Sequence, residues 1–253
     1  MNIIVCAKQV VDVSEIKIDK ASNTPITTGI PKKISDFDKN ALEEAIKIKE
    51  QHGGTITVLT VAGADAKEQI KELLAMGADK AVLITPQDTV DPLNIARLLQ
   101  AGVKHIGDYD LILCGEASID QFSGLTGPAL AGRLGISQLT YTTNITASKD
   151  SITCTRNMGA NTITETSTYP ALITVTKEIN TPRLPNLMQI MQSANKPIEE
   201  LTPDDLAVEI QEGSKEVNLT GVTMQRKNTI FNDDLENAIT TIVEELDTAG
   251  VFN

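Results

Sequence analysis

The stretch most able to do chemistry is Ser123-Gly124-Leu125-Thr126-Gly127-Pro128, where two glycines, two hydroxyls and an expected helix start fall within six residues. Glycines let a ligand approach the backbone closely. Ser123 and Thr126 offer hydroxyls, and free N–H groups at a helix start favour a phosphate. A Ser-Gly…Thr-Gly turn before a helix is, by itself, more often a plain helix cap. Two charged residues could join it. Lys8 follows the first expected strand, and Asp120 could take a ribose hydroxyl or orient the loop.

Other chemistries lack their residues. Cys6, Cys114 and Cys154 are far apart, and no CxxC occurs, which argues against a disulfide framework and against a thiolate metal site. His52 and His105 are isolated and read as surface residues near helix ends. There is no GxSxG elbow, HExxH helix, Walker lysine loop or early GxGxxG. The residues therefore point to binding rather than to bond breaking.

The elements that would position these groups follow from periodicity. Ile3-Ile4-Val5-Cys6-Ala7 is a continuous apolar run, as expected for a strand buried on both faces. A helix over 36–50 carries Asp36 and Asp38 in its first turn, where negative charge suits the dipole. The alternation then repeats: strand 55–61, helix 66–76, strand 81–84, helix 91–106, strand 111–114, helix 123–134. This order predicts an α/β fold with a mostly parallel twisted sheet and helices on both faces. In such sheets ligands bind beyond the carboxyl ends of the strands. That edge holds Cys6-Ala7-Lys8, Ala62-Gly63 and the segment from Gly115 to Gly127. The Thr-rich stretches 140–147, 151–156 and 161–168 read as a short antiparallel section, followed by a buried strand at 171–175.

The whole chain narrows the partners. Among 253 residues, 34 are acidic and 22 basic, a net charge of −12 that disfavours nucleic acid and anionic membranes. Aromatic residues make up 3% and Trp is absent, so single-stranded nucleic acid has little to stack on. No apolar run reaches membrane-spanning length. The opening residues read as a strand rather than as a signal peptide, and a cytoplasmic location is the expectation.

After residue 180 the periodicity fades. Pro182, Pro185, Pro197 and Pro203 interrupt a segment that still carries Leu184, Leu187, Met188, Ile190 and Met191. Such residues cannot form a core of their own, so the segment either wraps its own domain or lies over another chain. A last amphipathic helix is expected from Asn232 to Leu246, with Leu235, Ile239, Ile242 and Val243 on one stripe. The expected division is a nucleotide-binding domain over 1–179 and a C-terminal arm and helix over 180–253.

Taken in order, five segments resemble the beta subunit family of electron-transfer flavoproteins. They are the opening Ile3–Asp12 with Glu15–Asp19; Ile34-Ser35-Asp36-Phe37-Asp38 and the helix it starts; Leu74-Ala75-Met76-Gly77-Ala78-Asp79; Gly115 to Gly135; and Pro182-Arg183-Leu184-Pro185-Asn186-Leu187-Met188-Gln189-Ile190-Met191. The resemblance covers about residues 1–200. It implies an adenine nucleotide alpha-hydrolase-like fold and a heterodimer with a larger alpha subunit that carries FAD. It further implies AMP, or a second FAD in electron-bifurcating members, in this subunit. The family's redox partners are dehydrogenases such as acyl-CoA dehydrogenases, with a quinone oxidoreductase or another acceptor. By position, the implied pocket is Cys6, Ala7, Lys8, Ser35, Phe37, Ala62, Gly63, Asp120 and Ser123, Gly124, Leu125, Thr126, Gly127. The implied partner-recognition residues are Leu184, Leu187, Met188 and Met191. The chain departs from many members at Ser35-Asp36, at Leu125 and at Gln192–Lys196, and its Ile-Ser-x-Phe-Asp form looks closer to the Fix-type branch. A stand-alone universal-stress-like nucleotide-binding module is the alternative.

Overall fold

A computed structural model describes residues 1–88, 90–214, 217–222, 228, 230 and 234–252. In chain order the elements are β1 (Asn2–Cys6), β2 (Gln9–Val11), β3 (Lys17–Ile18), β4 (Pro25–Ile26), β5 (Lys32–Ile34), α1 (Asp36–His52), β6 (Thr55–Val61), α2 (Lys67–Met76), β7 (Lys80–Ile84), α3 (Pro92–Ile106), β8 (Leu111–Gly115), α4 (Thr126–Leu134), β9 (Ser137–Ala147), β10 (Ser151–Asn157), β11 (Thr162–Thr168), β12 (Ala171–Val175), α5 (Leu187–Ser193), β13 (Ile198–Leu201) and α6 (Leu235–Thr248).

Nine strands form one sheet in the order β11-β10-β9-β12-β8-β1-β6-β7-β13. From β9 to β13 every pairing is parallel, while β10 runs antiparallel to both β9 and β11. The period-2 alternation of β1 explains how the sheet separates two cores. Ile3 and Val5 join the cluster that includes Leu42 of α1 and Leu73 of α2, whereas Ile4 and Cys6 join the cluster with Leu98 of α3 and Leu130 of α4. Both faces are covered, as the apolar runs require.

Helix boundaries follow local chemistry. Asp91 caps α3 by accepting from the N–H groups of Leu93 and Asn94, and Pro92 occupies the first helical position, where its missing N–H costs nothing. The helix expected from Ser123 begins instead at Thr126. Phe122 and Gly124 hold left-handed φ values of +50° and +60°, which an α-helix cannot include. The irregular stretch 12–34 contains two small antiparallel ladders, β2 with β5 and β3 with β4. Two elements had no sequence signal strong enough to anticipate them: α5 and the edge strand β13, which pairs with β7.

The chain divides into units of residues 1–219 and 220–253. In the second, α6 spans Leu235–Thr248, capped by Asp234, and Leu235, Ile239, Ile242 and Val243 are exposed on it. The start expected at Asn232 lies outside the described residues. No described helix is long and apolar enough to cross a membrane.

Candidate nucleotide cleft and the exposed arm segment

Strand order reverses between β1 and β8: β6 and β7 follow on one side of β1, β8 and β12 on the other. A crevice opens at the carboxyl ends where the directions part. It forms a cleft of about 1070 Å3, flanked by the N-terminal turns of α3 and α4 and floored by Cys6, Ala7 and Cys114. Eleven of the thirteen pocket residues expected from the sequence line it: Cys6, Ala7, Lys8, Ala62, Gly63, Asp120, Ser123, Gly124, Leu125, Thr126 and Gly127. Ser35 and Phe37 lie behind the lining. Ser35 is fully buried and its Oγ accepts from the Ile119 N–H at 3.4 Å. Phe37 is buried and meets Phe122 edge to face, with centroids 5.8 Å apart. Both brace the loop after β8 from beneath.

Lys8 fixes the top of that loop. Its ammonium donates to Asp120 at 2.9 Å, Gln121 at 3.2 Å and Ser118 at 3.3 Å. Half-burial alone would raise the Asp120 carboxyl, but hydrogen bonds from Ser118 and Lys8 outweigh it and hold the group below its usual range. Asp120 is therefore engaged with its own loop.

Asp38, expected from the sequence in a helix dipole and in a resemblance motif but not among the pocket residues, lines the cleft as well. Its carboxylate spans the switch point, accepting from the Lys8 N–H at 2.8 Å and the Gly115 N–H at 3.1 Å. It thus ties the end of β1 to the end of β8. Burial raises its carboxyl to about 7, against the two N–H donors and nearby Lys8. Gly115 makes the contact possible, since a Cβ there would fall 2.5 Å from Phe37 Cβ and 2.7 Å from Asp38 Oδ1. The advance signals were a second aspartate two residues past the expected start of α1 and its place in the Ile34–Asp38 segment.

The two helix N-termini at the cleft differ. Asp91 already satisfies that of α3. No side chain caps α4, whose first residues are Thr126 and Gly127. Backbone N–H groups left open at a helix start form an anion site. Gly127 seats the helix there, because a Cβ would meet Thr174 Cγ2 at 2.7 Å on β12. The thiols offer no competing chemistry. Hydrogen bonding to Cys6 and burial push the Cys114 thiol well up, and burial pushes Cys154 to about 11. Among the described residues no group of three or more His, Cys, Asp or Glu is placed to hold a metal ion.

Residues 22–206 match the model of the electron transfer flavoprotein domain. The electron transfer flavoprotein subunit beta of Thermoanaerobacterium thermosaccharolyticum is 36% identical over 262 residues, covering all of both chains. The caffeyl-CoA reductase-Etf complex subunit CarD of Acetobacterium woodii is 35% identical over 211 residues, 82% of this chain and 80% of its own. Protein FixA of Sinorhizobium fredii is 33% identical over 207 residues, 78% of this chain and 73% of its own. The chain belongs to the electron transfer flavoprotein family. It is similar to beta subunits in particular, relatives that are named as electron-transfer subunits rather than as enzymes.

Two further motifs acquire a physical reading from their contacts. Leu74–Asp79 is a joint. Asp79 accepts from the Ile56 N–H at 2.7 Å and pairs with Lys49, while Lys196 donates to the carbonyls of Leu74 and Ala78 at 2.8 and 2.7 Å. The lysine thus closes the C-terminal end of α2. The Pro-flanked segment is held just as firmly. Arg183 forks onto Glu43, donating to Oε2 at 2.9 Å and Oε1 at 3.0 Å, and pairs with Glu50. Asn180 and Asn40 exchange hydrogen bonds alongside. On this fixed base Leu184, Leu187, Met188 and Met191 are all exposed, Leu184 at 91%.

Proposed function

We propose that the chain is the small subunit of a heterodimeric electron-transfer flavoprotein. In this reading FAD is carried with a larger alpha subunit and an adenine nucleotide occupies the cleft between β1 and β8. The observation that carries the nucleotide is the uncapped N-terminus of α4 beside the switch point, opposite an α3 terminus that its own Asp91 has already satisfied. The residues suit the group. A phosphate takes the Thr126 and Gly127 N–H groups with the Ser123 and Thr126 hydroxyls, and an adenine rests on the apolar floor of Cys6, Ala7 and Cys114. A cleft of about 1070 Å3 has room for AMP and for a dinucleotide such as a second FAD.

The exposed Leu184–Met191 face is the docking point for the redox partner. Its apolar side chains stand on a base that Arg183 and Asn180 hold rigid, so little ordering cost attends binding. A relative named for a caffeyl-CoA reductase complex supports a partner acting on acyl-CoA-type substrates. The arm beyond it holds the alpha subunit.

The test is to co-express the chain with a candidate large subunit, purify the complex, denature it and count flavin and AMP released. One FAD with one AMP, or two FAD, supports the reading. One FAD with no other adenine nucleotide removes the occupant of the cleft, and failure to form any complex removes the heterodimer.

A further inference from the structure

Beyond β13 the chain crosses back over the domain. Leu206 and Val208 pack partly buried against the second core cluster, the one that contains Leu98 and Leu99 of α3. Gln211 then meets Asn94, a buried side chain in the first turn of α3. The contact is a two-point fork. The Asn94 amide donates to the Gln211 carbonyl at 2.9 Å, and its carbonyl accepts from the Gln211 N–H at 3.1 Å. The same side chain donates to Asp91 and accepts from Arg97 at 2.7 Å, so both of its donor hydrogens and both acceptor sites are used. An asparagine can reproduce both halves of a peptide pairing, and here it stands in for a neighbouring strand.

Two residues further on, Gly213 passes against Asp91. A Cβ at that position would lie 2.0 Å from Asp91 Oδ2 and 3.1 Å from Asn94 Nδ2. Its φ is not positive, so close approach rather than backbone conformation calls for the glycine. The next residue, Ser214, lines the cleft, as Asp91 itself does. Within four residues the chain therefore runs from a buried latch to the wall of the cleft, opposite the N-terminus of α4.

We propose that residues 208–214 are a strap closing the α3 side of the nucleotide cleft, and that Asn94 is the positioning residue that latches it. The proposal rests on the reading of the cleft as an adenine-nucleotide site. Asn94 touches no ligand. It sets where Ser214 and the backbone beside it stand, and so controls how readily a bound nucleotide leaves. Gln211 contributes through its backbone, so its own side chain, which reaches Arg97, is dispensable.

The test uses the full chain with AMP and with FAD as probes. Asn94→Ala is expected to weaken binding about tenfold, chiefly through faster dissociation. Gly213→Ala keeps both fork partners but pushes the strap off Asp91 and crowds Asn94 Nδ2, and is expected to act in the same direction. Gln211→Ala keeps the backbone fork and is expected to stay within about twofold of the parent. In the parent, nucleotide slows amide exchange across 208–214; in Asn94→Ala that protection is lost, which a purely structural role would not produce. Should Asn94→Ala fail to fold, Gly213→Ala carries the comparison. Equal binding by parent, Asn94→Ala and Gly213→Ala, or exchange across 208–214 indifferent to nucleotide, overturns the strap. A parent chain that binds neither probe overturns the nucleotide reading and the strap with it.

Discussion

At the scale of single residues, Asp38 links the site to pH. Its buried carboxyl is raised from 3.8 to about 7, so the folded chain retains a proton there over a range where the unfolded chain has lost it. The unfolded state then binds fewer protons, and stability falls as pH rises toward about 7, levelling off above it. Asp38→Asn removes this titration. The difference in unfolding free energy between parent and variant, from urea melts between pH 4.5 and 8, should drift in the variant's favour as pH rises toward 7. A difference independent of pH would mean that Asp38 keeps an ordinary carboxyl. The residue was not legible as a clamp, because its two N–H partners come from the turn after β1 and from the end of β8 and meet only in the folded sheet. Lys8 and Asp120 were legible as neighbours of the same strand edge, but their mutual pairing was not.

At the scale of elements, α4 and the segment after residue 180 carry the function proposed, and each can be displaced by one change. Gly127→Val places side-chain atoms where a Cβ already meets Thr174 Cγ2 at 2.7 Å. Overpacking of this kind costs about 1–3 kcal/mol. It lifts the helix start from β12, so nucleotide per purified complex should fall along with the melting temperature; unchanged nucleotide content would count against α4 as the phosphate site. Arg183→Ala strands Glu43, a side chain only 6% exposed. Breaking a fully buried pair costs about 3–5 kcal/mol, and the exposure of Arg183 lowers this to about 2–3. The expected result is a lower melting temperature and weaker docking of the redox partner. Arg183→Lys recovers little, since an ammonium cannot reproduce the fork on Glu43. The parallel strands were legible because a buried strand must be apolar throughout. β13 was not: Ile-Glu-Glu-Leu carries its charges in the middle and draws its stability from β7. The start of α4 was misplaced by three residues because left-handed φ at Phe122 and Gly124 leaves no trace in hydrophobic spacing.

At the scale of the whole molecule, the family was legible in the order of five short segments, none decisive alone. The fold follows from alternation, and the likeness to beta subunits runs along the entire length of the Thermoanaerobacterium relative, past residue 206 where the domain match stops. The C-terminal unit therefore belongs with the family's own chain. Its helix α6 exposes Leu235, Ile239 and Ile242. If the arm holds the alpha subunit, Ile239→Asp with Ile242→Asp should abolish co-purification of the pair while leaving the melting temperature of the lone chain within a few degrees of the parent. Retained co-purification would assign the alpha contact elsewhere.

The outermost parallel strand has a consequence for synthesis. Ile198 pairs with Ala81, so the outer edge of β7 finds its neighbour only after everything from α3 to α5 has been made. Until then a growing chain presents an open row of backbone donors and acceptors, a template for intermolecular pairing. Lys196 fastens the approach to β13 onto the end of α2, so in the folded chain the strand that covers this edge is also pinned beside it. A nascent chain stalled between β12 and β13 is the form of this protein most in need of a chaperone.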